Sequence, residues 1–110
     1  MTERFRTFSA FWPHYLREHA EPRTRALHYV GTSLTVIVLI AAALTATLSL
    51  LWLVPLLGYG FAWGAHAFVE RNKPATFTYP LWSLAADFRM WGLWLSGRLE
   101  PHLRDAGLPK

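Results

Sequence analysis

Between Tyr29 and Ala65 the chain reads YVGTSLTVIVLIAAALTATLSLLWLVPLLGYGFAWGA, without one Asp, Glu, Lys, Arg or His. A domain of 110 residues has no interior large enough to bury such a stretch. A bilayer does, since roughly 20 apolar residues cross its hydrocarbon core as a helix. The run is too long for one perpendicular crossing, and both flanks are basic: Arg17, Arg23 and Arg25 precede it, Arg71 and Lys73 follow. Basic flanks stay on the cytoplasmic side, so the number of crossings is even. The reading is an all-α fold built on a membrane helical hairpin, about 25–45 and 49–71. Both termini are then cytoplasmic, at the inner membrane if the source is bacterial. A signal peptide would confine a shorter apolar stretch, about 7–15 residues, to the first 30 positions.

The apex belongs near Thr47. Thr45-Ala46-Thr47-Leu48-Ser49 is weak as helix and divides the run almost evenly, whereas Pro55 would make a lopsided hairpin. Ser49 suits the cap of the second helix, with Pro55 kinking that helix near its start. Gly60 and Gly64 form a small-xxx-small pair, which usually marks close helix packing.

Outward from the hairpin, Phe5, Phe8, Phe11, Trp12, Tyr15 and Leu16 recur at helical spacing, opposite Arg6, Arg17 and Glu18. That predicts an interfacial amphipathic helix over about 4–19. Ser9 is a candidate cap for its regular half, Glu21-Pro22 ends it, and Thr24 is a candidate cap for the next helix. Asn72-Lys73-Pro74 stops the second membrane helix. A Trp-rich helix of about 80–97 starts at Pro80, carries Asp87 and Arg89, and closes on Gly97. The whole reads as one integral-membrane domain over residues 1–110.

Composition narrows the chemistry. Hydrophobic residues make up 53% and charged ones 16%, against a usual charged share of about 25%. A disordered chain lacks that much apolar surface. With no cysteine, disulfides, thiolate metal sites and Cys nucleophiles are excluded. The net charge of +4 suits an anionic membrane surface. Nucleic acid is excluded as a partner, because the basic residues flank membrane segments rather than line one face.

The polar groups that remain concentrate at one level. His28 and His66 are equally far from Thr47, so a rise of 1.5 Å per residue puts each roughly 28 Å from the apex, at the cytoplasmic mouth. His19 ends the interfacial helix at the same surface, and three imidazoles can converge there. Glu70 shares a helical face with His66, Asn72 closes that helix, and Asp87 comes from the last helix. Ionisable groups at such depth are costly and are functional candidates by default. A lone interfacial His is more often a snorkelling or hydrogen-bonding residue, which is how His14 and His102 read. Three His plus a carboxylate without sulfur suit iron(II), manganese or zinc.

Three ordered blocks then resemble one family. They are Phe11-Trp12-Pro13-His14-Tyr15-Leu16-Arg17-Glu18-His19 with Arg25-Ala26-Leu27-His28-Tyr29-Val30-Gly31-Thr32; Gly58-Tyr59-Gly60-Phe61-Ala62-Trp63-Gly64-Ala65-His66 with Glu70-Arg71-Asn72-Lys73-Pro74-Ala75-Thr76-Phe77; and Pro80-Leu81-Trp82-Ser83-Leu84 followed by Asp87. The family comprises small membrane proteins grouped with the fungal 2-hydroxy fatty acid dioxygenase of phytosphingosine breakdown, and this chain is similar to its short bacterial branch. The resemblance implies an Fe(2+)-dependent enzyme of fatty-acid α-oxidation. A long-chain 2-hydroxy fatty acid and O2 would be its substrates, and the acid would lose its carboxyl carbon. It implies His19, His28 and His66 as iron ligands. Beside them, Glu70, Asn72 and Asp87 are expected to orient ligand imidazoles, with Glu70 a possible further ligand, and Arg25, Arg71 or Lys73 to offset the substrate carboxylate. The competing readings are a non-enzymatic membrane scaffold, a zinc-dependent lipid hydrolase, and haem binding through paired His.

Overall fold

A computed structural model describes residues 5–73 and 78–108. The expected helix start at residue 4, the stop at Pro74 and the motif through Phe77 lie outside the described residues. Every regular element among them is helical: α1 (Phe8–Arg17), α2 (Pro22–Thr45), α3 (Leu53–Ala65), α4 (Pro80–Leu95) and α5 (Leu99–Asp105). A 3-10 turn (Leu48–Trp52) leads into α3, and a π-turn (His66–Glu70) ends it. The chain forms two compact units, one of Glu21–Lys73 and one of Met1–Ala20 with Pro74–Lys110.

The first unit is the hairpin. Pro22–Thr45 and Leu48–Glu70 are each long and apolar enough to cross a membrane. The core helix of a soluble protein would be mostly buried, yet only 33% and 11% of their apolar windows are. Ile37, Ile40, Leu44, Leu48, Trp52 and Leu56 are all exposed, a surface that suits hydrocarbon and not water. The apex falls at Ala46 and Thr47, as the weak-helix cluster predicts, and Ala46 takes a left-handed conformation (φ 51°). Ser49 lies inside the 3-10 turn rather than capping the helix, because the turn already begins at Leu48. Pro55 is the third residue of α3, near the start of the second membrane-length helix.

Close packing in the hairpin comes from Gly31, not from the Gly60/Gly64 pair. A Cβ at Gly31 would meet the Leu57 carbonyl oxygen and the Phe61 Cβ at 2.9 Å each, whereas none at Gly60 or Gly64 would meet anything within 4 Å. Ala42, Ala62 and Ala65 are buried as well. Thr35 satisfies its hydroxyl by donating to the Gly31 carbonyl at 2.8 Å.

The second unit holds α1, α4 and α5. The cap of α1 is Thr7, whose hydroxyl accepts the Ala10 N–H at 3.1 Å, and not Ser9. The helix therefore starts before Ser9, contains Pro13 and ends at Arg17. Phe11, Tyr15 and Leu16 form its buried stripe. Phe11 meets Tyr79 and Trp82 at ring distances of 5.0 and 5.7 Å. α4 starts at Pro80 as predicted and ends on Gly97 (φ 73°). There Gly97 N–H donates to the Trp94 carbonyl and Arg98 N–H to that of Leu93, so the last carbonyls are satisfied. α5 lies beyond the last helix expected from the sequence; buried Leu99 and Leu103 hold it.

Gly31→Ala forces two backbones apart and is expected to cost about 1–3 kcal/mol. Gly60→Ala should be neutral or slightly stabilising. Thermal unfolding of both variants in detergent checks the pair, and equal melting temperatures would show that the close approach is not what holds the hairpin.

Candidate metal centre

In the hairpin, Pro22 fixes the first helical φ of α2 and Glu21 stands at its N-cap. Thr24 consequently falls inside the helix instead of capping it. That places Thr24, Arg25 and His28 on its first two turns, all buried. His28 Nδ1 lies 2.9 Å from the Thr24 carbonyl oxygen. A carbonyl only accepts, so Nδ1 carries the proton and the ring's lone pair is on Nε2. The His66 ring stands edge-on to it, with centroids 5.2 Å apart.

His66 opens the π-turn, and Asn72 grips it twice. The Asn72 N–H donates to the His66 carbonyl at 2.9 Å, and the Asn72 side-chain oxygen accepts from His66 Nδ1 at 2.6 Å. To reach back in this way the chain passes through Arg71 at φ 61°, a left-handed conformation in a non-glycine residue that costs about 1 kcal/mol. His66 thus also carries its lone pair on Nε2. Glu70, expected beside the imidazoles, accepts the Glu21 N–H at 2.5 Å and so ties the end of the π-turn to the start of α2. Arg71 and Lys73 are exposed just beyond. Arg25 is buried and hydrogen-bonds the Tyr29 phenol one turn on.

In the second unit, His19 follows α1 and is buried. Its Nδ1 lies 2.6 Å from the Tyr15 carbonyl oxygen, and its ring stacks on that of Tyr15 at 4.1 Å. Tyr15 in turn donates its hydroxyl to Asp87. Asp87 takes no ion pair from Arg89, which lies over the Trp12 ring at 4.6 Å. His102 accepts the Trp12 indole N–H at 3.1 Å, and His14 faces Glu18 at 3.4 Å.

The hairpin therefore joins His28, His66 and Asn72, and the second unit links His19 to Asp87 through Tyr15. Sequence reasoning missed Tyr15 and Thr24. Both stand four residues before a histidine, the spacing at which a helical carbonyl meets an imidazole Nδ1. Among the described residues the Thr24 hydroxyl is buried without a hydrogen-bond partner. Its i−4 residue, Ala20, precedes the helix, so the bond that serves Thr35 is not offered to it.

Burial pushes the Asp87 acid up to about 7, against the pull of the Tyr15 hydrogen bond. The unfolded chain releases this proton near pH 4 and the folded chain near 7, so stability falls as pH rises between those values. Asp87→Asn should abolish that fall: in detergent, its melting temperature relative to the parent should rise from pH 4 to pH 7. A constant difference across that range would remove Asp87 as the source.

No curated protein and no solved structure matches the chain. The family described as 2-hydroxy-palmitic acid dioxygenase Mpo1-like matches residues 5–99. A match over nearly the whole chain, on an all-helical fold with buried imidazoles, carries one conclusion: the chain belongs to the Mpo1-like family.

Proposed function

We propose that the chain is an iron(II)-dependent dioxygenase that shortens 2-hydroxy fatty acids by one carbon at the cytoplasmic surface of a membrane. The observation that carries this reading is the common state of three buried imidazoles. His19, His28 and His66 each engage Nδ1 with an oxygen acceptor and keep the lone pair on Nε2. This is how histidines that ligate metals are usually held. Covalent connection supports adding His19 to the hairpin pair, since it lies two residues before Glu21, whose N–H is bonded to Glu70. The family's description supplies the substrate class and the reaction.

The donor set fits iron(II). It is nitrogen-only, neutral and without thiolate, and the unpartnered Thr24 hydroxyl one turn before His28 offers a hydrogen bond to an oxygen ligand. The metal, when bound, supplies the redox chemistry by which O2 is reduced as the acid is oxidised. The chain's own residues do the rest. Asn72 and the Thr24 and Tyr15 carbonyls fix the imidazole tautomers. Arg25, buried in the first turn of α2, offsets the carboxylate, with Arg71 and Lys73 at the exposed rim. The apolar outer faces of the hairpin lie in the bilayer beside the acyl tail, and the basic flanks keep both termini cytoplasmic. The chain acts as one integral-membrane unit.

Metal content of detergent-purified protein tests the reading, beside His66→Ala and a His19/His28/His66 triple Ala variant. About one iron per chain is expected, lost in both variants, with oxygen uptake on 2-hydroxypalmitate lost in parallel. Stoichiometric zinc with ester hydrolysis would replace the oxygenase by a lipid hydrolase. No metal even after anaerobic iron(II) loading would leave a membrane scaffold.

A further inference from the structure

The proposed ligands differ in what holds them. His28 and His66 are braced by groups of the hairpin itself, Thr24 and Asn72. His19 lies beyond the end of α1, where no continuing helix fixes its ring. Its orientation comes from Tyr15, which touches it in two independent ways. The Tyr15 carbonyl accepts from Nδ1 at 2.6 Å and sets the tautomer. The Tyr15 ring lies 4.1 Å from the imidazole at an interplanar angle of 30° and sets its plane. Trp12 packs nearly parallel on Tyr15, at 5.7 Å and 9°, so the three rings form a ladder that runs from α1 onto the turn after it.

A ladder of rings fixes tilt but not rotation within the ring plane. The bond from the Tyr15 hydroxyl to Asp87, on α4, opposes that rotation. Asp87 lies on the same face as buried Ser83, Ala86 and Met90. The carboxyl is thus placed by a packed helix and reaches no imidazole directly.

We propose that Tyr15 and Asp87 act together as positioning residues for His19: Asp87 locks the Tyr15 ring, and Tyr15 presents His19 Nε2 to the metal. The inference rests on His19 being a ligand. It corrects the sequence expectation that Asp87 orients an imidazole itself, since Asp87 acts one residue removed. It also gives Tyr15, read from its spacing as part of an apolar stripe, a role in the site.

The test is cobalt(II) binding to the full-length protein in detergent, followed by titration and by the visible d–d spectrum, which reports ligand number and geometry. Tyr15→Leu and Asp87→Leu should each weaken cobalt(II) by about tenfold or more, the usual effect of losing a group that orients a metal ligand. Both should shift the d–d envelope toward that of His19→Ala. Tyr15→Phe, which keeps ring and carbonyl, should fall between these and the parent. Asp87→Asn should restore the parent spectrum, because the amide oxygen still accepts the phenol. A merely structural role would lower melting temperatures without moving the spectrum, and helical circular dichroism separates misfolding from loss of binding. Parent-like affinity and spectrum in folded Tyr15→Leu and Asp87→Leu would overturn the inference while leaving the metal site standing. If the parent chain binds no cobalt(II), while remaining folded, the metal reading falls and this one with it.

Discussion

Everything specific about this protein depends on hydrogen bonds from imidazole Nδ1 to fixed oxygen atoms. An apolar chain of this size has few ways to hold a polar ring in one orientation. Water is scarce, and a neutral His can settle in either tautomer. Backbone carbonyls solve the problem cheaply, since each helical turn carries them at fixed positions. His19 and His28 use the carbonyl one turn back, and His66 uses the side chain of Asn72. The helices thus serve as rulers for the imidazoles as well as apolar walls.

The two units apply that device to different materials. The hairpin is built from small residues that let its helices touch at Gly31, and its outer faces are largely bare apolar surface. The other unit is an aromatic assembly, in which Phe5, Phe11, Tyr79 and Trp82 interlock and Arg89 closes over Trp12. Aromatic rings with polar tips suit a boundary between hydrocarbon and water, because each presents one apolar and one hydrogen-bonding end. Trp12 uses its indole N–H on His102 and Tyr15 its hydroxyl on Asp87 in this manner.

The hairpin and its apex were legible because they follow from the strongest signals a sequence carries, a charge-free run and a cluster of weak helix formers. That His28 and His66 lie at one level of the hairpin was legible from their equal distances to the apex, and His19, His28 and His66 do form a buried cluster of imidazoles. Caps were not: Ser9, Thr24 and Ser49 all have the right chemistry, but a capping residue acts only where a helix begins, and that is set by Thr7, by Pro22 and by the turn at Ala46. α5 was invisible because its short helix is held by the burial of Leu99 and Leu103 rather than by periodicity. Tyr15 was read as packing since nothing in its spacing distinguishes a ring that packs from a ring that packs and also holds a neighbour. Glu70 shares a helical face with His66, but its carboxylate is taken up by the Glu21 N–H.

That π-turn has a consequence for how the segment tolerates change. A π-turn is an α-helix that has taken in one additional residue. Delete one of Ala67, Phe68 or Val69 and the remainder would close into ordinary α-helix, with Asn72 five residues after His66 instead of six. Asn72 would swing off His66, and Arg71 would lose the reason for its left-handed backbone. Ala67 and Phe68 are themselves exposed, so their side chains are open to replacement by other apolar ones. At this point the reach from Asn72 to His66 depends on the number of residues between them more than on which apolar residues they are.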